Sequence, residues 1–176
     1  YSNGNEKLDN LVMTNHEASG SVTFSATKAL TGRDMNAKDV FLFAVYEVNE
    51  NGERTGITPV SIGTNKDENG NVSSNINFSQ IKYDTPGIHH YEISEVIPTD
   101  AVHKTDADNN SYYEKNGIRY SSQIYKVKVV VSDENNDGNL KAAVTDENGN
   151  PVSLHFVNNY EASNTTASIT AKKTLE

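Results

Sequence analysis

The pentapeptide Asp-Glu-Asn-Gly-Asn occurs twice, at 67–71 and 146–150, and two variants of it, Asn49-Glu50-Asn51-Gly52 and the DENNDGN run at 133–139, punctuate the rest of the chain. Asn-Gly and Asp-Gly pairs accept positive φ at little cost and are a strong short-range sign of a hairpin reversal. The segments they separate alternate or run apolar at strand length, as in VFLFAVYEV at 40–48 and IYKVKVVV at 124–131, and none sustains helical periodicity. The pattern predicts strands at 21–30, 40–48, 72–83, 87–97, 124–131, 140–144 and 151–160. A short edge strand is expected at 57–62, where Pro59 withholds a ladder donor, and a polar excursion at 98–117. Short strands joined by tight reversals predict an all-β, antiparallel β-sandwich.

Composition narrows the function. Of the 176 residues 35% are hydrophobic, enough for a sandwich core. A net charge of −9 argues against nucleic acid and anionic membrane surfaces as partners. With no cysteine, disulfides, thiolate metal sites and thioesters are excluded. No apolar run is long enough to cross a bilayer, and the opening YSNGNEK is not a signal peptide, so the sequence reads as a piece of a longer chain. There is no G-x-S-x-G, HExxH or glycine-rich phosphate loop, and no cofactor is expected.

One residue disturbs this pattern. In SVTFSATKALTG, alternation puts Val22, Phe24, Ala26, Lys28 and Leu30 on one face of a strand. A lone lysine there usually snorkels to water at a sheet edge. Buried, it needs a carboxylate or must lose its charge. Alternation also directs Tyr91, Ile93 and Glu95 to one face of the 87–97 strand, and Glu92, Ser94 and Val96 to the other.

The ordered set ATKALTGR (26–33), VFLFAVYEV, GIHHYEISEV (87–96), YKVKVVVSD (125–133) and FVNNY (156–160) resembles the streptococcal pilin isopeptide-linkage domain, a CnaB-like, reversed-immunoglobulin module of Gram-positive pilins and surface adhesins. The resemblance implies an internal amide bond between Lys28 and Asn158, with Glu95 as the catalytic carboxyl group. It implies an apolar shell of Phe24, Tyr91, Phe156 and Tyr160, and a structural role at the cell wall, outside the cell. The sequence departs from the family at His89, where an aromatic is commoner, at Ser121 after Tyr120, where an aspartate is often seen, and in the long 98–117 excursion.

The chemistry is coherent. Burial would lower the lysine pKa and raise that of the glutamate, leaving an uncharged nucleophile beside a proton donor. A protonated Glu95 could polarise the Asn158 carbonyl and carry protons to the leaving ammonia. The reaction would occur once per chain, without enzymatic turnover. Asn159 and Glu92 are the neighbouring alternatives, disfavoured by strand alternation. The same trio is also compatible with a buried ion pair and no bond. A second function class is a ligand-binding module for carbohydrate or host protein, with Tyr112 and Tyr113 of the excursion as its surface. Asp133, Asn135, Asp137 and Gly138 resemble the opening of a calcium loop, but Val144 stands where a bidentate glutamate is needed. His89 and His90 point to opposite faces, so zinc is not expected.

The ends echo each other. Asn15-His16-Glu17-Ala18-Ser19 before the lysine strand resembles Asn159-Tyr160-Glu161-Ala162-Ser163 before ASITAKKTLE, while the terminal Leu175-Glu176 has the look of a cloning scar. The division expected is therefore 1–20 as the tail of a preceding module or a linker, 21–160 as the isopeptide-forming module, and 161–176 as a linker and the first strand of a following repeat. Neighbouring modules of the same polypeptide are the expected partners. Thr14 falls opposite Asn158 and Lys173 has no partner in the chain, so one cross-link is expected.

Overall fold

The computed structural model describes residues 18–162. The echoing segments at 1–17 and 163–176, with Lys7, Thr14 and Lys173, lie outside the described residues. Thirteen strands follow in order: β1 Gly20–Val22, β2 Ser25–Thr31, β3 Leu42–Val48, β4 Ser61–Lys66, β5 Val72–Phe78, β6 Ile81–Tyr83, β7 Gly87–Glu95, β8 Val102–Thr105, β9 Ser111–Lys115, β10 Ile118–Arg119, β11 Ile124–Ser132, β12 Lys141–Thr145 and β13 Leu154–Tyr160. β1 pairs with β6, and the others form one hydrogen-bonded succession, β12-β11-β7-β3-β4-β5-β2-β13-β10-β9-β8.

That succession folds over on itself. The Phe43 and Phe156 rings lie 4.9 Å apart although β3 and β13 are four places apart in the sheet. The β12-β11-β7-β3 half therefore faces the half containing β5, β2 and β13, and β4 makes the corner. The corner coincides with a register irregularity between Thr64 and Lys66, the kind of break by which a strand passes from one sheet to the other. Alternating inward residues of both halves (Phe24, Ala26, Phe43, Val45, Ile93, Val127, Val129, Phe156) fill the space between. The result is an Ig-like β-sandwich, antiparallel in every ladder among the described strands except β2–β13, which is parallel.

The repeated pentapeptides build the same loop. Asp67 N–H donates to Asn71 O at 2.9 Å and Asp146 N–H to Asn150 O at 2.8 Å. Each aspartate carboxylate accepts the N–H of the final asparagine, and Gly70 and Gly149 sit at φ +86° and +87°. Those N–H donors hold both aspartates below the usual carboxylate range. In the DENNDGN run the Asp133 carboxylate accepts the N–H of Asp137 and Gly138, and the segment serves as the β11–β12 reversal.

Several expectations are corrected. The 98–117 excursion holds the β8–β9 hairpin and leads into β10. Its turn, Asp106–Asn110, repeats the pentapeptide loop with Asn109 at φ 65° in the glycine position, so the reversal was spelled without the Asn-Gly signal. The 57–62 edge strand is replaced by β4, an interior strand between β3 and β5. Its inward residues are Ser61, Gly63 and Asn65, small or polar, which hides the alternation. The Ser61 hydroxyl donates to Ser79 O at 2.7 Å, and the Asn65 side chain accepts from Phe41 N–H at 2.7 Å and donates to Asp39 O at 2.9 Å. The 21–30 and 72–83 strands are each broken in two, because β1 and β6 leave the main sheet to pair with each other.

Two glycines separate backbone strain from packing. At Gly149 a Cβ would meet nothing within 4 Å, so Gly149→Ala should lose about 1–2 kcal/mol through its left-handed φ alone. At Gly63 a Cβ would lie 2.6 Å from the Phe78 ring and 2.9 Å from Ile76, so Gly63→Val should cost at least about 1–3 kcal/mol by overpacking. Urea-unfolding midpoints of the two variants measure both effects.

Candidate functional site

Three polar side chains meet inside this apolar sandwich. Lys28 projects inward from the middle of β2, Glu95 ends β7 in the facing half, and Asn158 lies on β13 beside β2, at the register Asn158↔Leu30 and Phe156↔Lys28. Their exposures are 1%, 6% and 1%. Lys28 Nζ donates to Glu95 Oε2 at 2.8 Å, and Asn158 Nδ2 donates to Glu95 Oε1 at 2.8 Å. The Asn158 carbonyl oxygen, Oδ1, accepts the backbone N–H of Ser121 at 2.8 Å. One carboxyl group thus touches both nitrogens, and a main-chain donor touches the amide oxygen.

The surroundings weaken both charges. Burial, only partly offset by Glu95, pulls Lys28 down to about 8, and burial pushes Glu95 above the usual carboxylate range against the pull of Lys28, Asn158 and the Ser121 N–H. Both shifts favour moving the shared proton from nitrogen to oxygen. The rings closest over the ammonium are Phe41, at 4.5 Å from its centroid, and Phe43, at 5.7 Å. Phe41 is steered there by its own backbone, since Asn65 fixes its N–H and the Asp39–Arg33 pair braces the preceding loop. Tyr120 closes the Phe41 side edge-on at 6.0 Å.

The four shell residues expected from sequence occupy different places. Phe156 is fully buried, its ring tilted against that of Phe43. Phe24 and Tyr91 are buried in the same core, their rings 5.8 Å apart and edge-on, and Tyr91 shares a 2.9 Å hydrogen bond with the Tyr83 hydroxyl. Tyr160 is half-buried with the Arg33 guanidinium 4.5 Å over its ring. Phe41 and Phe43 were not singled out from sequence, and Ser121 was noted there only as a departure from the family pattern, not as a donor. The two phenylalanines were visible as an i, i+2 pair in VFLFAVYEV, whereas a backbone donor leaves no trace in side-chain identity.

The neighbouring alternatives are engaged elsewhere. Glu92 faces outward and pairs with Arg54. Asn159 accepts from the Thr31 hydroxyl at 2.9 Å and donates to Glu161 at 2.9 Å. His89 bonds Glu47 and packs on Tyr83, while His90 reaches Glu147. Of the proposed binding pair, Tyr113 is 45% exposed and edge-on to His103, and Tyr112 lies under the Arg119 guanidinium at 4.1 Å. Both line a cavity of about 280 Å³ with Tyr120, Ser121 and Ile124, which reaches Glu95.

A family model described as FctA, Spy0128-like isopeptide containing domain, matches residues 24–161. The chain belongs to this family. It is the family to which the lysine, YEISE and FVNNY motifs pointed, and the matched span contains all three polar residues of the buried cluster. Among solved structures the Spy0128-like chain is similar to the major pilin from Streptococcus pyogenes, at 18% identity and a TM-score of 0.39. The alignment covers 82% of this chain and 51% of that pilin, so the chain spans about half of the pilin's length. No curated protein sequence matches it.

The electrostatics of the Spy0128-like site can be measured apart from any covalent chemistry. In an Asn158→Ala chain, where the amine has no amide to attack, side-chain NMR should find Lys28 titrating near 8 and not at its ordinary 10.5. Adding Phe41→Ala, which lets water reach the ammonium, should move it back upward.

Proposed function

We propose that this chain is a structural stalk or pilin module of a Gram-positive cell-surface adhesin, reinforced by an autocatalytic Lys28–Asn158 isopeptide bond. The observation that carries the reading is the Glu95 carboxyl group, bonded through one oxygen to the attacking nitrogen and through the other to the leaving nitrogen. In the proposed step the neutral Lys28 amine adds to the Asn158 side-chain carbonyl carbon and a C–N bond forms. Glu95 takes a proton from the new ammonium and delivers one to Asn158 Nδ2, whose bond to carbon breaks, and ammonia leaves. No water or outside reagent enters the balance. Preorganisation supplies the rate, because both reactants are already fixed in a dry site.

The stalk role follows from where the bond would sit. β2 and β13 are hydrogen-bonded neighbours, so the amide would join the first and last strands of the main sheet. Tension entering before Lys28 and leaving after Asn158 would then bypass everything between them. By the chain-entropy model, closing a loop of about 130 residues would add about 5 kcal/mol of stability. Neighbouring modules of the same polypeptide are the proposed partners, and the outer face of the cell wall the proposed location.

The intact mass should be lower by one ammonia, about 17 Da. Glu95→Gln, which removes the shuttle, should restore it with the fold retained. An unmodified wild-type mass would leave the ion-pair reading in its place. Pulled from its ends, the wild type should not extend through the 28–158 segment, whereas Lys28→Ala should release about 450 Å of contour.

A further inference from the structure

Ser121 belongs to no strand. It lies between β10 and β11 in an irregular stretch, Tyr120–Gln123, that passes across the mouth of the buried cluster. This stretch lines the 280 Å³ cavity on one side and a second one, bordered by Val157 and Asn159, on the other. Its side chains are ordinary: the Ser121 hydroxyl accepts from the Gln123 N–H at 3.2 Å and is not directed at the cluster. Its main chain is not ordinary in position. The Ser121 N–H makes no ladder bond; it donates to Asn158 Oδ1 at 2.8 Å, an atom of a 1%-exposed side chain, and also lies close enough to the Glu95 carboxyl group to favour its charged form.

That contact fixes the orientation of the amide. An N–H can only donate, so the atom facing Ser121 has to be the carbonyl oxygen. The NH₂ is then turned to Glu95 Oε1, where it is found. The order matters for the chemistry. With Nδ2 on the carboxyl group, Glu95 is placed to protonate the leaving nitrogen, and it is not the donor to the carbonyl oxygen that the sequence suggested. Negative charge accumulating on Oδ1 as the amine adds needs another donor, and the main-chain N–H of Ser121 already donates to that oxygen, at 2.8 Å in the unreacted amide.

We infer that the Ser121 backbone N–H is a catalytic group of the cross-linking reaction, the oxyanion donor that polarises Asn158 and sets which of its two atoms faces Glu95. The inference rests on the bond-forming reading and deepens it. A main-chain donor is indifferent to the side chain that carries it, which accounts for serine serving at a position where the family often has aspartate. Glu95 and Ser121 divide the work: the carboxyl group moves protons, and the peptide N–H holds charge.

The test removes the N–H and leaves every side chain in place. The full chain is made by cell-free translation with the α-hydroxy analogue of serine at position 121, so that an ester oxygen stands where the N–H was. Loss of ammonia is followed by intact mass against wild type and Ser121→Ala. Ser121→Ala should cross-link at the wild-type rate. The ester chain should be slower by about 10²–10³-fold, the usual effect of losing one oxyanion donor. At constant pH its rate should not be rescued by added imidazole, since the Glu95 shuttle is untouched. An ester chain within threefold of wild type, while wild type loses ammonia, overturns the inference alone. A wild type that never loses ammonia overturns the bond-forming reading itself. Amide hydrogen–deuterium protection across β2, β7 and β13 reports folding in each sample. An ester chain that fails to fold passes the decision to Ser121→Pro, which also lacks the N–H and is held to the same rate criterion, and equal rates there overturn the inference as well.

Discussion

The contact between the Glu95 carboxyl group and two buried nitrogens is the interaction on which the rest of this sandwich turns. Taking a lysine and a glutamate out of water costs several kcal/mol for each ion, which their attraction repays only with good geometry and further hydrogen bonds, so such a cluster is weak as a stabilising device. It persists here because every polar atom in it has a partner and because the sandwich is built around it. Glu95 comes from one half of the sheet, Lys28 and Asn158 from the other, so the cluster stitches the halves together through the core. Phe41, Asn65 and the Arg33–Asp39 pair form a chain of support whose end is an aromatic ring over the ammonium.

The topology explains why this cluster suits a covalent tie. The other nine ladders of the main sheet are antiparallel, and five of them join strands consecutive in the chain, but β2 and β13 are parallel and lie at opposite ends of the described sequence. A parallel pair cannot be closed by a hairpin and depends on the rest of the domain to bring it together. The weakest kind of neighbour relation in the sheet, measured by chain connectivity, is therefore the one that the Lys28 and Asn158 side chains span.

Much of this was legible in residue order. Period-two alternation put Lys28, Glu95 and Asn158 on inward faces, and all three are buried. The Asn-Gly and Asp-Gly reversals marked most of the hairpins. Elsewhere the signal failed for identifiable physical reasons. β4 turns Ser61, Gly63 and Asn65 inward, and hydrogen bonds replace the apolar contacts that alternation relies on. The β8–β9 turn uses Asn109 where glycine was the cue. The parallel pairing of β2 and β13 could not be read from either strand alone, and the Ser121 N–H belongs to a backbone that every residue except proline shares. Phe41 was visible as an apolar residue, but its place over the ammonium depends on Asn65, 24 positions away.

The spacing of the three polar residues along the chain also sets an order in time. Lys28 is synthesised early, Glu95 near the middle and Asn158 within the last described strand, so a ribosome or a secretion channel releases the nucleophile long before its target. Until β13 docks, the chain holds an unfinished sheet with a free edge at β2, and it can still be threaded, unfolded or degraded. Docking of a single strand supplies the amide and, through the sandwich, the dry surroundings the amine needs. On the proposed reading, the bond is then a record of completed folding: a chain that stalls, misregisters β13 or loses its final strand stays unsealed. Such a chain remains open to proteolysis, while its finished neighbours do not.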